Sequence, residues 1–336
     1  MMAMAAPQTV AEIGELGLLQ RLFKYCPASI VGDDAAVIDL PAGERLVVTT
    51  DVLVQGVHFS DRTTGPGDVG WRSVAANLSD LAAMGATPLG ITVGLSLPPT
   101  TAISWVEDLY QAMATCLENW GGALLGGDLC RSPVVSLAIT ALGSAPTHEI
   151  FYRASAQPGE VILATGYHGL SRAGLALLLE TNPDQGLAAG DRQRWLQAHQ
   201  RPRPRLDVVN WLRHQSWGQG VTAMDSSDGL ANAVLQICQA SGVGACLEVD
   251  QLPLDPALVE WVGLEQAVDW CLYGGEDFEL ILCLPRARAQ ALQAYLGPGS
   301  AIVGQITCNP SVVLQSSCRP HTAPTELSLG QGFQHF

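Results

Sequence analysis

The chain has 336 residues, of which 48% are hydrophobic and only 15% charged, and its formal net charge is −15. That length builds two ordinary domains with sizeable cores, and the composition excludes a disordered or fibrous chain. So negative a protein is a poor partner for nucleic acid or an anionic membrane.

The N-terminal Met-Met-Ala-Met-Ala-Ala stretch has no basic segment and no long apolar core, so it does not read as a signal peptide. No run of about 18 apolar residues predicts a membrane span. Residues 10–25 have the spacing of a short amphipathic helix. Arg45 to Thr50 is β-rich and predicts a strand that delivers Asp51 at its end. Asp68 to Met84 has helical spacing and stops at Gly85, a C-cap signal. On that helix Ser73, Asn77 and Asp80 share one face. A polar stripe ending in a carboxylate reads either as the wall of a site or as a solvated face.

Ile91 to Leu97 predicts the next strand, ended by Pro98-Pro99, and 102–119 the next helix. Ala123 to Leu125 reads as a short strand running into Gly126-Gly127-Asp128, and Val134 to Leu142 as another. The boundary signals near 144–150 divide the chain into expected domains 1–148 and 149–336. In the second half, strands are expected at Val161 to Thr165, Val221 to Met224, Cys246 to Val249, Glu279 to Leu284 and Ala301 to Ile306. Helices are expected after Gly169, after Arg205 and from Gly229 to Ala240; 182–200 reads as a polar loop with a short helix. Strict βαβ alternation is missing. The expected fold class is therefore α+β, with helices on mixed sheets and an α/β character in the N-terminal half.

Acidic residues recur in short Gly/Ser-flanked motifs: Gly32-Asp33-Asp34, Thr49-Thr50-Asp51, Asn77-Leu78-Ser79-Asp80, Gly126-Gly127-Asp128, Asp225-Ser226-Ser227-Asp228-Gly229 and Gly274-Gly275-Glu276-Asp277. Burying unpaired charge is costly, so carboxylates gathered in one place need cations between them. Mg²⁺ takes hard oxygen ligands and shares them with phosphates. Several of these motifs have plainer readings. Asp33-Asp34 suits a turn, Asp228 suits a helix N-cap, and His58 suits a satisfied core histidine. The Asp225–Gly229 run places two carboxylates and two hydroxyls at the mouth of a helix, where free N–H groups favour phosphate.

Lys24 is the only lysine, and no Gly-Lys-Ser/Thr triplet exists, which excludes a P-loop and the lysine-dependent kinase signature. The Asp225 run has no Glu at loop position twelve, which excludes an EF-hand. No His/Cys zinc spacing, Gly-x-Ser-x-Gly elbow or Gly-x-Gly-x-x-Gly fingerprint is present. The nine cysteines, an odd number without a Cys-x-x-Cys pair, read as reduced buried thiols of a cytoplasmic protein.

In order and spacing, GDDAAVI, TTDVLVQGVHF, NLSDLAAMGATP, GGDLCRSP, RASAQPG, RPRPR, DSSDGL, YGGEDFEL and GFQHF resemble the thiamine-monophosphate kinase family, within the aminoimidazole ribonucleotide synthetase-like superfamily. The related selenophosphate synthetases carry a reactive Cys or Sec in a Gly-rich N-terminal segment, and the related carbamoyl-dehydrating maturation proteins end in cysteine; this chain has neither feature. The resemblance implies a two-domain fold that dimerises through the N-terminal sheet, while the C-terminal half closes over the nucleotide. It implies in-line γ-phosphoryl transfer from ATP to thiamine phosphate, assisted by Mg²⁺. The metal ligands it implies are Asp34, Thr49, Thr50, Asp51, Asp80, Asp128, Asp225 and Asp228. The nucleotide contacts it implies are Gly127, Asp128, Arg153, Ser227 and Tyr110, and the substrate contacts are His58, Glu276 and Phe333. It names no acid–base residue, because the attacking phosphate oxygen is already ionised at neutral pH.

Overall fold

In a computed structural model of the chain, residues 8–28, 30, 35–180, 186–317 and 323–331 are described. Asp33, Asp34 and Phe333 lie outside them. The chain divides into two compact units, Met1–Leu81 with Thr87–Ser144, and Ala82–Ala86 with Ala145–Phe336.

The first unit opens with α1 (Val10–Leu22), capped reciprocally by Thr9 and Glu12 and broken at Gly14, whose φ is 67°. Then follow β1 (Glu44–Val54), α2 (Pro66–Ala83), β2 (Thr87–Leu97), α3 (Ile103–Trp120), β3 (Leu124–Arg131) and β4 (Ser136–Pro146). The sheet order is β1-β4-β2-β3, with β2 parallel to β3 and antiparallel to β4. The helices carry the apolar stripes that cover such a sheet: Val69, Val74, Leu78 and Leu81 on α2, and Val106, Leu109 and Met113 on α3, are fully buried. Residues 35–40, which have a strand-like sequence, form no strand, and Val37 is exposed. β1 runs on to Val54, so Asp51 lies inside a strand rather than at its end. β3 likewise continues through Gly126-Gly127-Asp128 to Arg131, because that stretch pairs residue by residue with β2.

The second unit contains β5 (Val161–Ala164), α4 (Leu170–Leu178), α5 (Ala189–Gln200), α6 (Leu206–His214), β6 (Thr222–Asp225), α7 (Leu230–Ser241) and β7 (Gly244–Glu248). It continues with α8 (Pro256–Val262), α9 (Leu264–Tyr273), β8 (Leu280–Leu284), α10 (Arg286–Leu296), β9 (Ala301–Thr307), β10 (Val312–Gln315) and β11 (Thr325–Glu326). The seven strands are ordered β11-β10-β7-β9-β5-β8-β6. Only β10 and β7 pair in parallel among the neighbours in this sheet. Every residue of β5 and β8 is buried, the signature of strands covered on both faces. The polar stretch before residue 200 forms a full helix of 12 residues, anchored by Trp195 and His199, which are buried one turn apart.

Candidate functional site

In the first unit, the polar stripe of α2 faces β1. The Thr49 hydroxyl donates to an Asp80 carboxylate oxygen at 2.5 Å, and the amide of Asp51 donates to Asn77 Oδ1 at 3.2 Å. Asn77 is held in turn by its Nδ2, which donates to the Ser73 carbonyl at 2.9 Å. Ser73 and Asn77 are fully buried, so this stripe is not a solvated face. The pleat sends Thr49 and Asp51 to one side of β1 and Thr50 to the other. There Thr50 Oγ1 meets Thr140 Oγ1 at 2.9 Å, sharing the face that exposes Leu46, Val48 and Val52. Thr49, Asp51 and Asp80 therefore lie together along the β1–α2 contact, and Thr50 presents its side chain to the opposite face.

Asp128 lies on β3, at the other edge of the sheet from β1. The fold accounts for the glycine before it. A Cβ at Gly127 would stand 2.1 Å from the Val93 carbonyl of β2, so strand packing alone demands glycine. His58 sits in the turn after β1, half-buried, and its Nδ1 accepts the amide of Val54 at 3.0 Å. An accepting Nδ1 leaves the ring proton on Nε2, so His58 presents an N–H donor and is not a buried core histidine. Tyr110 is buried on α3 with its ring 6.0 Å from that of Tyr25, and burial pushes its hydroxyl well above the usual phenol range. Lys24 is occupied by Glu107 at 3.7 Å and lies over the Tyr25 ring.

In the second unit, two motifs about fifty residues apart arrive at one end of the sheet. β6 ends at Asp225 where β8 begins at Leu280, because the two strands are antiparallel and pair Asp225 with Leu280. Asp225 and Ser226 are buried, and Ser227 Oγ donates to Asp225 Oδ1 at 3.3 Å. α7 starts at Leu230 with Gly229 as its N-cap, φ 99°. Asp228 precedes the cap, so the N-cap reading of that carboxylate falls. The amide of Glu276 donates to the Ser227 carbonyl at 2.6 Å. A Cβ at Gly275 would stand 2.8 Å from that same carbonyl, and Gly275 has φ +66°. Glu276 and Phe278 also have positive φ, 61° and 52°. Each costs a non-glycine residue on the order of 1–3 kcal/mol, retained only where surrounding bonds over-determine the backbone. Arg153 lies beside α7, with its guanidinium donating to Gln236 at 2.9 Å and its carbonyl accepting from Ser241 at 2.7 Å.

Beneath this loop is a buried polar network that the sequence does not announce. Arg205 pairs with Glu279 at 2.5 Å and with Asp207 at 3.0 Å, and the Thr165 hydroxyl also donates to Glu279. His168 is fully buried between the Gly166 carbonyl and Ser226 Oγ; burial lowers its pKa, which keeps the ring neutral. Asp277 accepts the amides of Gly169 at 2.7 Å and Ser171 at 2.9 Å. Burial pushes its carboxyl up to about 7; those two bonds oppose the shift, and the carboxylates of Glu279 and Glu276 add to it. Arg205 and Glu279 fall within the RPRPR and YGGEDFEL runs, but neither run announces that the two side chains pair, and Thr165 carries no signal. Among the described residues, no three His, Cys, Asp or Glu side chains come together as a preformed metal cage.

Two α+β units, each bearing carboxylates on backbone fixed by its sheet, define a class that the family comparisons name. The model described as AIR synthase related protein, N-terminal domain, matches residues 32–145, and that described as AIR synthase related protein, C-terminal domain, matches 157–316. A thiamine-monophosphate kinase of Synechococcus elongatus is 50% identical over 332 residues, 98% of each chain. The crystal structure of thiamine-monophosphate kinase from Stenotrophomonas maltophilia superposes with a TM-score of 0.77 at 33% identity, covering 89% of this chain and 96% of that one. A solved structure described as AaThiL complexed with AMPPCP and TMP gives a TM-score of 0.71 at 27% identity, over 97% and 99% of the two chains. The chain belongs to the thiamine-monophosphate kinase family.

Proposed function

We infer that this chain transfers the γ-phosphoryl group of ATP to thiamine phosphate, giving thiamine diphosphate and ADP. An oxygen of the substrate phosphate attacks the γ-phosphorus, the new P–O–P bond forms, and the bond to the β,γ-bridging oxygen breaks with its electron pair leaving on ADP. No proton has to move for that step, which asks the protein for positioning and charge compensation. Together with the similar solved structure described as complexed with AMPPCP and TMP, one observation in this chain carries the reading. The loop of Ser227 and the loop of Glu276 are hydrogen-bonded to each other at one end of the second sheet.

The donor chemistry fits Mg²⁺. Thr49, Asp51, Asp80, Asp128, Asp225 and Asp228 offer hard oxygens, with Thr49 and Asp80 already in contact. Mg²⁺ binds through one or two carboxylates together with substrate phosphates rather than in an all-protein cage. When bound, it neutralises the clustered phosphate charge. In the first unit, Thr49 and Asp80 would hold it, with Asp51 on the same face of β1; Thr50, also expected as a ligand, has its side chain on the other face, against Thr140, and His58 is an expected substrate contact. In the second unit, Asp225 and Asp228 would serve the same purpose; Asp34, in the first unit, is an expected ligand outside the described residues. Gly127, Arg153 and Ser227 attend the nucleotide. Glu276, whose side chain is 37% exposed, compensates the cationic thiazolium, with Phe333 as its expected stacking partner. Tyr110, the remaining expected nucleotide contact, is buried on α3.

The proposed homodimer is supported by β1. An edge strand with Leu46, Val48 and Val52 exposed at 46%, 54% and 51% is a template for pairing with a second copy. A cytoplasmic setting fits the eight described cysteines, all unbridged, and no described helix is long and apolar enough to cross a membrane. The test is chromatography of products from purified protein, ATP and thiamine phosphate, with and without magnesium. Magnesium-dependent thiamine diphosphate with matching ADP is expected. ATP turnover without thiamine diphosphate would move the chain to a sister reaction.

A further inference from the structure

The Glu276 carboxylate stands on backbone that resists its own conformation. Gly275, Glu276 and Phe278 all have positive φ, and only glycine adopts that region without strain. Such a segment keeps its shape only where bonds from outside fix it. Three such bonds converge on it. The Glu276 amide is tied to the Ser227 carbonyl, and the two oxygens of Asp277 take one amide each from Gly169 and Ser171, at the start of α4.

Ser171 extends this clamp to the carboxylate itself. Its hydroxyl lies 3.1 Å from His199 Nδ1, and that nitrogen lies 3.9 Å from Glu276 Oε2. His199 is 2% exposed while the Glu276 side chain is 37% exposed. The imidazole thus forms the floor beneath the carboxylate. The approach of α5 that puts it there depends on Gly174, where a Cβ would stand 2.1 Å from the Trp195 carbonyl and 2.9 Å from His199 Cβ. One serine therefore connects the backbone clamp, through its amide, and the side-chain floor, through its hydroxyl.

We propose that Asp277, Ser171 and His199 are positioning residues that hold the Glu276 carboxylate in the orientation in which it meets the cationic ring of the substrate. The proposal rests on the functional reading above for the identity of that ring. The clamp itself rests on hydrogen bonds within the second unit alone. Loss of any of the three residues is expected to raise KM for thiamine phosphate and leave KM for ATP nearly unchanged.

The test uses the full chain carrying Ser171→Ala, His199→Gln or Asp277→Asn, each alone and combined with Glu276→Gln. Each single variant is expected to raise KM for thiamine phosphate about fivefold or more, with KM for ATP within about twofold. In the Glu276→Gln background the same changes are expected to add almost nothing, because coupled residues are non-additive. Hydrogen exchange of the peptide holding residues 274–278 supplies a readout independent of turnover. It is expected to speed up in Asp277→Asn and to stay near the wild-type rate in Ser171→Ala, which keeps its amide bond to Asp277. Additive effects in the double variants, or equal effects on both substrates, would overturn the proposal, and so would unchanged exchange of that peptide in Asp277→Asn. Ser171→Ala, which removes one oxygen, keeps the test open if Asp277→Asn does not fold. A wild-type chain that makes no thiamine diphosphate would overturn the functional reading, while the exchange data would still decide the clamp.

Discussion

The amide of Glu276 donates to the carbonyl of Ser227 across 2.6 Å. The bond joins the two acidic loops of the second unit through main-chain atoms. Displacement of one loop is therefore transmitted to the other. The strand order makes this possible, because β6 and β8 run antiparallel and bring the end of one motif to the start of the other.

Replacing Glu276 by Gln removes a charge and keeps the size. A carboxylate facing a cation at a partly exposed site is worth on the order of 1 kcal/mol or somewhat more. KM for thiamine phosphate is expected to rise by about tenfold, on the rule that about 1.4 kcal/mol is a factor of ten, while KM for ATP changes little. Steady-state kinetics with each substrate varied in turn check this. Equal shifts in both would reduce Glu276 to a structural residue.

Asp80 and Thr49 form a bonded pair on the contact between α2 and β1. Asp80→Asn keeps a hydrogen-bond acceptor but loses the charge proposed to hold Mg²⁺. Turnover is expected to fall by about 100-fold or more, while the urea midpoint moves little. Thr49→Val is expected to lower turnover less. Near-normal activity in Asp80→Asn would remove this pair from the phosphate machinery.

Arg205 and Glu279 are a stability element. Both are largely buried, and Arg205 also holds Asp207 and the Thr165 carbonyl. Breaking such a pair from one side strands a buried charge and costs about 3–5 kcal/mol. Arg205→Met is expected to lower the urea midpoint sharply, and Arg205→Met with Glu279→Leu is expected to recover part of the loss. A double variant as unstable as the single would mean that the remaining partners, not the stranded carboxylate, set the cost.

Asp277 makes stability depend on pH in a definite direction. Its carboxyl is pushed up to about 7 in the folded chain, against about 3.9 for an unperturbed Asp. Below pH about 4 both states hold the proton. Between about 4 and 7 only the folded state does, so folding takes up a proton and stability falls as pH rises through that window. Urea midpoints at pH 5 and pH 8 are expected to differ less in Asp277→Asn than in the wild type. An unchanged difference would place the dependence on another group.

The exposed face of β1 is expected to be covered by a second copy. Val48→Arg, in the middle of the apolar row Leu46, Val48 and Val52, is expected to convert a dimer into a monomer in light-scattering measurements at micromolar concentration. A wild-type monomer would rule out this use of the edge.

The periodicities that mark α2, α3 and the apolar strands are local, and the sequence by itself was enough for them. It was also enough to name the acidic motifs, because glycine and serine around a carboxylate are a composition signal. The stripe Ser73, Asn77 and Asp80 shows how far that signal goes. Spacing put the three on one face, but only β1 lying against that face settled that it is a wall and not a surface. Thr50 shows the opposite limit, since its neighbours in sequence point away from it once the pleat is formed. Helix α5 was expected only as a short helix within a polar loop, because a polar helix with two buried residues one turn apart carries little amphipathic contrast. His199, Ser171 and Asp277 are brought together from three separate segments, and no local pattern encodes that meeting. Tertiary structure decided it through the close approach at Gly174 and the antiparallel pairing of β6 with β8. Such contacts depend on how whole elements pack, whereas hydrophobic period and turn chemistry are written within a few residues of chain.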